Sequence, residues 1–332
     1  CGGGGGRGCC GPAAGGAWGF VRVRRRGPRA VRAHGGAVPP GAGGAAMQAL
    51  EATPEEAEGA WMAQPCHAAR RRACAVQPAR TMALARGAYA ITGGLGGLGL
   101  RAASLLIAGG ASGVLLASRS GRVARDGQGV EAGLLAAGFA VLTLACDSAD
   151  SMDVRALFGA SPPAAVLHAS GAADKGLLIE LEASRMHWLS ASKAVGAWQL
   201  YAAASTGPLE ARIVFSSVGS GLGNVGQANY AASNAWLDAQ MMSCRGRGAV
   251  GRSVQWPLVG GAGMGAPAFA ATPERPVAVT GLAGTSLAAH VACAPAQRAF
   301  AGAVAPRGQA AHRSHGRERV PGRAPAARAP LS

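Results

Sequence analysis

The stretch Ala88–Gly99 reads Ala-Tyr-Ala-Ile-Thr-Gly-Gly-Leu-Gly-Gly-Leu-Gly, and it decides which fold the sequence predicts. Its apolar first half is typical of a short buried strand, and the glycines after it predict a tight turn into a helix. Gly93, Gly97 and Gly99 would let the backbone pass close to a pyrophosphate, which the amides at the start of the helix attract. The alternative is an ordinary turn, because 53 of the 332 residues are glycine. The order of strand, glycine turn and helix favours a dinucleotide site.

The alternation of short apolar runs and helical periods continues along the chain. Strands are predicted at 88–92, 114–117, 140–144, 164–168, 213–215 and 250–255, and helices at 128–138, 151–159, 180–205 and 227–243. Repeated β-α units joined by right-handed crossovers form a parallel sheet with helices on both faces. We therefore predict an α/β, Rossmann-like, doubly wound domain over residues 86–265.

The two flanks of this domain have a different composition. The chain carries a net charge of +16, yet residues 86–265 hold 13 basic against 10 acidic side chains, so most of the excess lies outside them. Both flanks are rich in Gly, Ala, Pro and Arg and have few large apolar residues to offset the entropy of ordering. We expect a mostly disordered basic arm over 1–85, with one short helix within 47–63. We also expect a mostly disordered Ala/Pro/Arg-rich tail over 266–332, with a weak helix at 282–303.

The sequence does not favour nucleic-acid binding, a membrane span or a metal site. Arg22, Arg24, Arg25 and Arg26 could bind RNA, but no aromatic residues alternate with them as RNA recognition favours. The longest apolar stretches, such as 105–117, fall short of the roughly 20 residues of a membrane span. The eight cysteines form no CxxC pair, so neither zinc nor a disulfide framework is indicated. We expect a soluble, cytoplasmic protein without a metal site.

Residues at the ends of the next strands extend the predicted dinucleotide site. Arg119 follows Gly99 by twenty residues, where a carboxylate would favour NAD and a guanidinium favours the 2′-phosphate of NADP. Asp147 could bind the adenine amino group, with a helix cap or a turn equally open as its role. His168 is interpreted as a packed residue, not as a base or ligand. The predicted NADPH site consists of Thr92, Gly93, Leu95, Gly96, Gly97, Leu98, Gly99, Ser118, Arg119, Cys146, Asp147, Ala169 and Ser170.

A second stretch, Phe215–Asn234, carries candidate catalytic groups. Ser217 ends a predicted strand, where open α/β sheets place their sites. Tyr230 and Asn234 are four residues apart in the following helix and therefore share one face.

These motifs together resemble the ketoreductase domain of modular polyketide and fatty acid synthases, within the short-chain dehydrogenase/reductase superfamily. The resemblance covers residues 87–265 and rests on seven ordered segments, which lie at 92–99, 118–121, 145–147, 168–171, 193–198, 215–217 and 227–235. Ordinary short-chain dehydrogenases have a Lys four residues after the Tyr, where Asn234 stands here. The resemblance supplies that Lys from the preceding helix, as Lys193.

The resemblance implies a role for each catalytic residue. Ser217 would hydrogen-bond the substrate carbonyl, Tyr230 would protonate it, and Asn234 would hold a relay water. Lys193 would bind the nicotinamide ribose and support Tyr230, and a cation about 4 Å from the phenol would lower its pKa toward neutrality.

The implied reaction is NADPH-dependent reduction of a β-ketoacyl thioester, bound to an acyl carrier protein, to the β-hydroxyacyl thioester. Other domains of a synthase would be further partners. The alternatives are a free-standing reductase of small ketones and a catalytically inactive fragment. The family's Leu-Asp-Asp segment is Ala173-Asp174-Lys175 here, Leu222 is not the Trp of the other stereochemical class, and a Trp-Gly-x-Trp segment is replaced at 256–259. The configuration of the alcohol and the state of the lid near Met264 are therefore left open.

Overall fold

The computed structural model describes residues 12–24, 35–37, 58–61, 66–67, 87–123, 128–204 and 209–260. Before the main domain it contains helix α1 (Pro12–Arg24) and three short strands, β1 (Gly35–Ala37), β2 (Glu58–Trp61) and β3 (Cys66–His67). β1 runs parallel and β3 antiparallel to β2. The predicted helix within 47–63 is wrong where the structure describes that segment, because 58–61 are extended and pair with both neighbours. The predicted tail over 266–332 lies outside the described residues.

A six-stranded parallel sheet forms the centre of the domain, in the order β6-β5-β4-β7-β8-β9. Its strands are β4 (Ala88–Thr92), β5 (Gly113–Ser118), β6 (Ala140–Ala145), β7 (Ala165–His168), β8 (Ala211–Ser217) and β9 (Arg252–Trp256). The order reverses between β4 and β7, as in a doubly wound dinucleotide fold. The predicted Rossmann-like sheet is confirmed.

Helices connect these strands and cover the sheet. They are α2 (Gly97–Ala108), α3 (Gln128–Ala136), α4 (Ser151–Ala160), α5 (Ala183–Ser190), α6 (Gly196–Ala203), α7 (Val218–Leu222) and α8 (Ala228–Gly246). A 3-10 turn, Leu178–Glu180, precedes α5, and a π-helical turn, Ala191–Val195, joins α5 to α6. The helix predicted at 180–205 is thus one rod in three parts, and its middle part carries Lys193.

The core has two layers because alternate residues of a strand face opposite sides of the sheet. Ile91 belongs to one apolar cluster together with its register partners Leu116 and Leu167. Ala90, one position earlier, belongs to the opposite cluster. Burial of a large aliphatic side chain contributes about 1.5–3 kcal/mol. Both faces of the sheet are therefore stabilised, and the strand ends that carry polar groups are fixed in position.

Helix α1 packs along α8, and this corrects the expectation of disorder for that part of the basic arm. Gly15 and Gly19 lie so close to α8 that a Cβ on either would approach a backbone carbonyl of α8 to 2.7 Å and 2.3 Å respectively. The facing row on α8 consists of small residues, Ala231, Ala235 and Ala239. Such rows let two helix backbones approach closely and gain dispersion contacts. Packing of this kind offsets the poor helix propensity of glycine.

Arg22, at the end of α1, is held by the main domain. Its guanidinium donates to the Ser220 carbonyl at 2.6 Å and lies 5.7 Å from the centre of the Trp18 ring. Arg22 therefore has a structural role, and it was one of the four arginines considered for RNA. Arg25 and Arg26 lie outside the described residues.

Candidate active site

The candidate site lies at the carboxyl ends of β4, β5, β7 and β8, around the point where the strand order reverses. Crossover helices leave this edge of the sheet in opposite directions on the two sides of β4 and β7, which opens a crevice there. The predicted residues at the strand ends are brought together at this edge.

The glycine turn has the close contacts that its sequence predicts. Gly93 has φ +70°, and a Cβ there would lie 2.7 Å from the backbone at Ala169 and Ser170. A Cβ on Gly99 would lie 2.3 Å from the Gly93 carbonyl oxygen. Only glycine fits these two positions, so the turn presents bare backbone and the first amides of α2 to the crevice.

An open cleft of about 760 Å³ lies over this turn. All the predicted cofactor residues except Thr92 line it. Six further lining residues were not predicted from the sequence, and these are Ser120, Arg122, Val123, Ser148, Gly171 and Ser192. Three of the six, Ser120, Ser148 and Gly171, are direct neighbours of predicted cofactor residues, so the strand-end positions were the available signal for these three. Thr92 is instead buried, and its hydroxyl contacts the His168 ring.

The groups around the end of β5 are polar and positively charged. Arg119 and Arg122 are both exposed at the cleft. Ser118 also lines the cleft, and its hydroxyl oxygen is buried without a hydrogen-bond partner among the described residues. A buried hydroxyl without a partner costs free energy unless a ligand or water satisfies it.

The helix cap and the turn, both left open as roles of Asp147, belong to two different residues. Asp150 caps α4, since its carboxylate accepts hydrogen bonds from the amides of Met152 and Asp153. Asp147 makes a turn, because its Oδ1 accepts from the Ala149 amide at 2.9 Å. Asp147 nevertheless lines the cleft, so a contact with a ligand remains a prediction.

Lys193 is buried on the π-helical turn, directly after Ser192, which lines the cleft. Only 3% of its surface is exposed, and Nζ donates to the Phe215 carbonyl at 3.1 Å. Nζ also lies 5.5 Å from the centre of the Tyr230 ring. Burial lowers the pKa of Lys193 to about 8, although the charge of Asp238 acts in the opposite direction. The pKa of this ammonium, which faces the Tyr230 ring, therefore lies closer to neutral pH than that of an exposed lysine.

The expected lowering of the Tyr230 pKa is not found. Burial raises the pKa of Tyr230, and hydrogen bonding by the side chains of Ser217 and Asn234 opposes that rise. The physical reason is that Lys193 directs its hydrogen bond to a backbone carbonyl and faces the ring, so desolvation outweighs its attraction for the phenolate.

Ser217 ends β8 and caps α7. Its Oγ accepts a hydrogen bond from the Gly219 amide at 3.1 Å. This contact occupies an acceptor site of the hydroxyl and leaves its proton available for another group.

A polar network that the sequence analysis missed holds the turn after Ser217. The Ser220 hydroxyl lies within hydrogen-bonding distance of both the Ser217 carbonyl and the Asp238 carboxylate. Asp238 also accepts from the Gln255 amide at 2.6 Å and from the Ser253 hydroxyl. These residues come from α7, α8 and β9, and no local pattern in the sequence connects them.

Asn234 is fully buried one turn after Tyr230. Its amide nitrogen donates to the Tyr230 carbonyl at 2.8 Å, while its Oδ1 is buried without a hydrogen-bond partner among the described residues. Asn234 thus offers one free acceptor to a small polar molecule.

Asp174, the one residue that matches the family's Leu-Asp-Asp segment, fixes the loop beside Tyr230. It forms a bidentate pair with Arg185, at 2.5 and 3.1 Å, and accepts from the Asn229 amide at 2.6 Å. Hydrogen bonding to Arg185, opposed by some burial, lowers the pKa of Asp174. Asn229 directly precedes Tyr230 and its own Oδ1 accepts from the Tyr230 amide. The loop is therefore tied to the start of α8.

The segment 256–259, which departs from the family's Trp-Gly-x-Trp, begins with Trp256 at the end of β9. Trp256 is buried edge-on against Phe215, with ring centres 5.6 Å apart. Met264 and the rest of the lid lie outside the described residues. Within the described ranges, no helix is long and apolar enough to cross a membrane, and no group of metal-binding side chains comes together.

Comparison with known proteins matches the same part of the chain. The model of the KR domain family covers residues 87–261. Polyketide synthase GfsB of Streptomyces halstedii is 38% identical over 177 residues, which are 52% of this chain and 3% of that protein. The spectinabilin polyketide synthase system protein NorB of Streptomyces orinoci is 35% identical over 206 residues, which are 60% of this chain and 10% of that protein. The chain thus spans a small part of the curated relatives it matches.

Solved structures agree in fold. The first ketoreductase of the tylosin polyketide synthase superposes with a TM-score of 0.76 at 31% identity, over 86% of this chain and 63% of that one. The ketoreductase from the first module of phoslactomycin biosynthesis in Streptomyces sp. HK803 gives a TM-score of 0.77 at 28% identity, over 87% of this chain and 68% of that one. The resemblance found in the sequence is confirmed, and the chain belongs to the KR domain family, the ketoreductase domains of modular polyketide synthases.

Proposed function

We propose that this chain uses NADPH to reduce a β-ketoacyl thioester, carried by an acyl carrier protein, to the β-hydroxyacyl thioester. The observation that supports this most directly is the buried ammonium of Lys193, 5.5 Å from the Tyr230 ring. Ser217 contributes to the hydrogen bonding of the same phenol. Carbonyl reduction needs a proton donor and groups that stabilise the developing negative charge, and a phenol, a cation and a hydroxyl can supply these.

The cleft fits a nicotinamide dinucleotide. The glycine backbone at Gly93 and Gly99 leaves the room that a pyrophosphate requires, and Ser118, whose buried hydroxyl has no partner among the described residues, lines the same cleft. Arg119 and Arg122 supply positive charge at the end of β5, which favours the additional phosphate of NADPH over NADH. When bound, the nicotinamide supplies the hydride.

The protein's own groups would handle the proton and the developing charge. Ser217, whose Oγ accepts from the Gly219 amide, would turn its hydroxyl proton from the Tyr230 phenol to the substrate oxygen. Tyr230 donates the proton that converts the alkoxide into an alcohol. Lys193 would act on the resulting phenolate as a nearby positive charge. The free Oδ1 of Asn234 accepts from a water that returns a proton.

The carrier-bound substrate follows from the kind of protein in which these domains occur. The relatives are multidomain polyketide synthases, and this chain matches only a small part of each. An acyl carrier protein and other synthase domains are therefore the proposed partners. A cytoplasmic location stays a prediction.

The test uses the full chain, NADPH and a β-keto acyl thioester of N-acetylcysteamine. Wild type should oxidise NADPH and form the β-hydroxy thioester. Tyr230→Phe should lower the rate by about 10²–10⁴, the usual contribution of a positioned proton donor. The control is Tyr201→Phe, because Tyr201 stacks on Trp198 at 6.0 Å and does not line the cleft. An undiminished rate in Tyr230→Phe would contradict the proposal.

A second measurement separates the proposed function from its two alternatives, a free-standing reductase and an inactive domain. The same β-ketoacyl group is offered on an acyl carrier protein, as the small thioester and as a simple ketone. A preference for the carrier-bound form supports the proposal. Turnover of simple ketones alone would identify a free-standing reductase, and NADPH binding without any turnover would identify an inactive domain.

A further inference from the structure

His168 lies between the start of the glycine turn and the lysine-bearing turn. It is the last residue of β7, and only 1% of its surface is exposed. Its Nδ1 is 2.7 Å from the Thr92 hydroxyl oxygen, and its Nε2 is 3.0 Å from the Lys193 carbonyl oxygen. One side chain thus contacts both the residue before Gly93 and the backbone of the catalytic lysine.

The chemistry of the two partners fixes the direction of both hydrogen bonds. A carbonyl oxygen can only accept, so Nε2 carries the ring proton and donates it to Lys193. Nδ1 is then unprotonated and accepts from the Thr92 hydroxyl. Burial, and then the charge of Lys193, lower the pKa of His168 to about 3. The ring therefore stays neutral at physiological pH, and the chain runs from Thr92 through His168 to Lys193.

The surrounding residues leave space for this ring. A Cβ on Gly196 would lie 3.0 Å from the His168 Cε1 and 2.6 Å from the Ser148 hydroxyl oxygen. Gly196 directly follows the π-helical turn that carries Lys193. The absence of a side chain at 196 allows the helix to approach β7 closely enough for the His168 contact.

We propose that His168 is a positioning residue that sets the distance between the nucleotide-binding turn and the catalytic lysine. The inference rests on the proposed ketoreductase function. Thr92 pairs directly with His168 in the parallel register of β4 and β7, so the two strand ends move together. The Lys193 carbonyl then fixes the π-helical turn against the same point. A displaced turn would move the lysine relative to both the phenol and the cofactor.

Two conservative variants test the two hydrogen bonds separately. The side-chain amide of Asn reaches about as far as Nδ1, and that of Gln about as far as Nε2. His168→Asn should keep the Thr92 contact and lose the Lys193 contact, so kcat should fall about tenfold while KM for NADPH stays near wild type. His168→Gln should keep the Lys193 contact and lose the Thr92 contact, so KM for NADPH should rise about tenfold while kcat stays near wild type. His168→Leu should show both losses.

Val166→Ala is the matched control. Val166 is buried two positions earlier in β7 on the same face, and it has no side-chain polar group. It should lower the free energy of unfolding without changing kcat or KM at a temperature where the protein is folded. If the Asn, Gln and Leu variants at position 168 all leave kcat and KM for NADPH unchanged, as Val166→Ala should, the proposal is overturned.

A readout without turnover keeps this inference separate from the proposed function. If wild type does not reduce the thioester, the proposed function fails, and NADPH affinity and nitrogen NMR decide the role of His168. The positioning role is supported if the ring is neutral and protonated on Nε2, and if the His168→Gln variant binds NADPH more weakly than the His168→Asn variant. A ring protonated on Nδ1, or equal affinities, overturns it.

Discussion

Lys193 and Tyr230 meet face-on: the ammonium lies 5.5 Å from the ring centre and donates its hydrogen bond to the Phe215 carbonyl. The lysine therefore acts on the phenol as a nearby charge. Its burial carries a cost, which appears as a pKa lowered to about 8 from 10.5. A residue kept at such a cost is a candidate for a functional role.

Lys193→Met should therefore remove activity and increase stability. The unfolded lysine binds its proton more tightly than the folded one, so unfolding becomes less favourable as pH rises from 8 to 10.5, and the full cost is present below pH 8. That cost is about 3 kcal/mol, and loss of the hydrogen bond to Phe215 offsets about 1 kcal/mol. Urea unfolding at pH 7 should show a gain of about 2 kcal/mol, with kcat lowered by about 10² or more.

The gain in stability from Lys193→Met should decrease as pH rises. It should shrink through the window from pH 8 to 10.5 and be absent at its upper end. Lys175→Met serves as the control, because Lys175 is exposed and should leave the pH dependence of unfolding unchanged. A variant at Lys193 that is less stable than wild type at pH 7 would show that the ammonium is not desolvated.

His168 should make the protein sensitive to acid. Its folded pKa of about 3 lies below the ordinary value of 6.5, so the unfolded chain binds the proton first and stability falls as pH drops from 6.5 toward 3. The slope for this one group is at most about 1.4 kcal/mol per pH unit. His168→Gln should lack this pH dependence. The difference between variant and wild type in the free energy of unfolding, measured with urea, should therefore narrow as the pH falls.

His187→Gln is the control for the acid effect. His187 is exposed near the end of α5, and the variant should follow wild type at every pH. Parallel curves for His168→Gln and wild type from neutral pH down to about pH 4 would mean that the buried ring takes up a proton without unfolding.

The strand-and-turn framework could be predicted because its signals are local. β5 is observed at Gly113–Ser118 against a predicted 114–117, since an apolar run bounded by glycine and polar residues identifies a buried strand without reference to the rest of the chain. The contact between Thr92 and His168 depends instead on the register of β4 with β7. Strand neighbours of that kind come from the topology, and 76 residues separate the two side chains.

The π-helical turn and helix α1 could not be predicted for a different reason. The local sequence does not favour either a π-helical turn or a helix at these positions, and tertiary contacts stabilise both. The hydrogen bonds of the turn at Lys193 are displaced from the α pattern while His168 contacts its carbonyl. Gly15, Gly16 and Gly19 make α1 a poor helix by itself. Its stability comes from the close approach to α8, which composition does not show.

Arg119 should determine the preference for NADPH over NADH. It is exposed at the cleft, and a carboxylate there would repel a 2′-phosphate and accept from a ribose hydroxyl instead. Arg119→Asp should weaken NADPH binding by about 10- to 100-fold, the loss of a charge-assisted contact, and leave NADH binding equal or tighter. Fluorescence titration with both nucleotides measures this. Arg155→Asp, with the same charge change on α4 outside the cleft, should leave the ratio of the two affinities unchanged.

Gly19 and Gly16 should respond in opposite directions to the same substitution. A Cβ at Gly19 would lie 2.3 Å from the Ala231 carbonyl, whereas one at Gly16 would lie 3.5 Å from the Ala232 carbonyl, an ordinary contact. Gly19→Ala must push α1 away from α8 and should cost about 1–3 kcal/mol, which exceeds its gain in helix propensity. Gly16→Ala keeps the propensity gain and should stabilise by up to about 1 kcal/mol.

Thermal unfolding and kcat together identify what α1 does. Ala231 directly follows Tyr230, so a strained contact at Gly19 should also lower kcat, while Gly16→Ala should leave it unchanged. Equal effects of the two substitutions on the melting temperature would mean that α1 does not pack on α8. A lower melting temperature with normal kcat in Gly19→Ala would mean that α1 supports the fold but leaves the phenol in place.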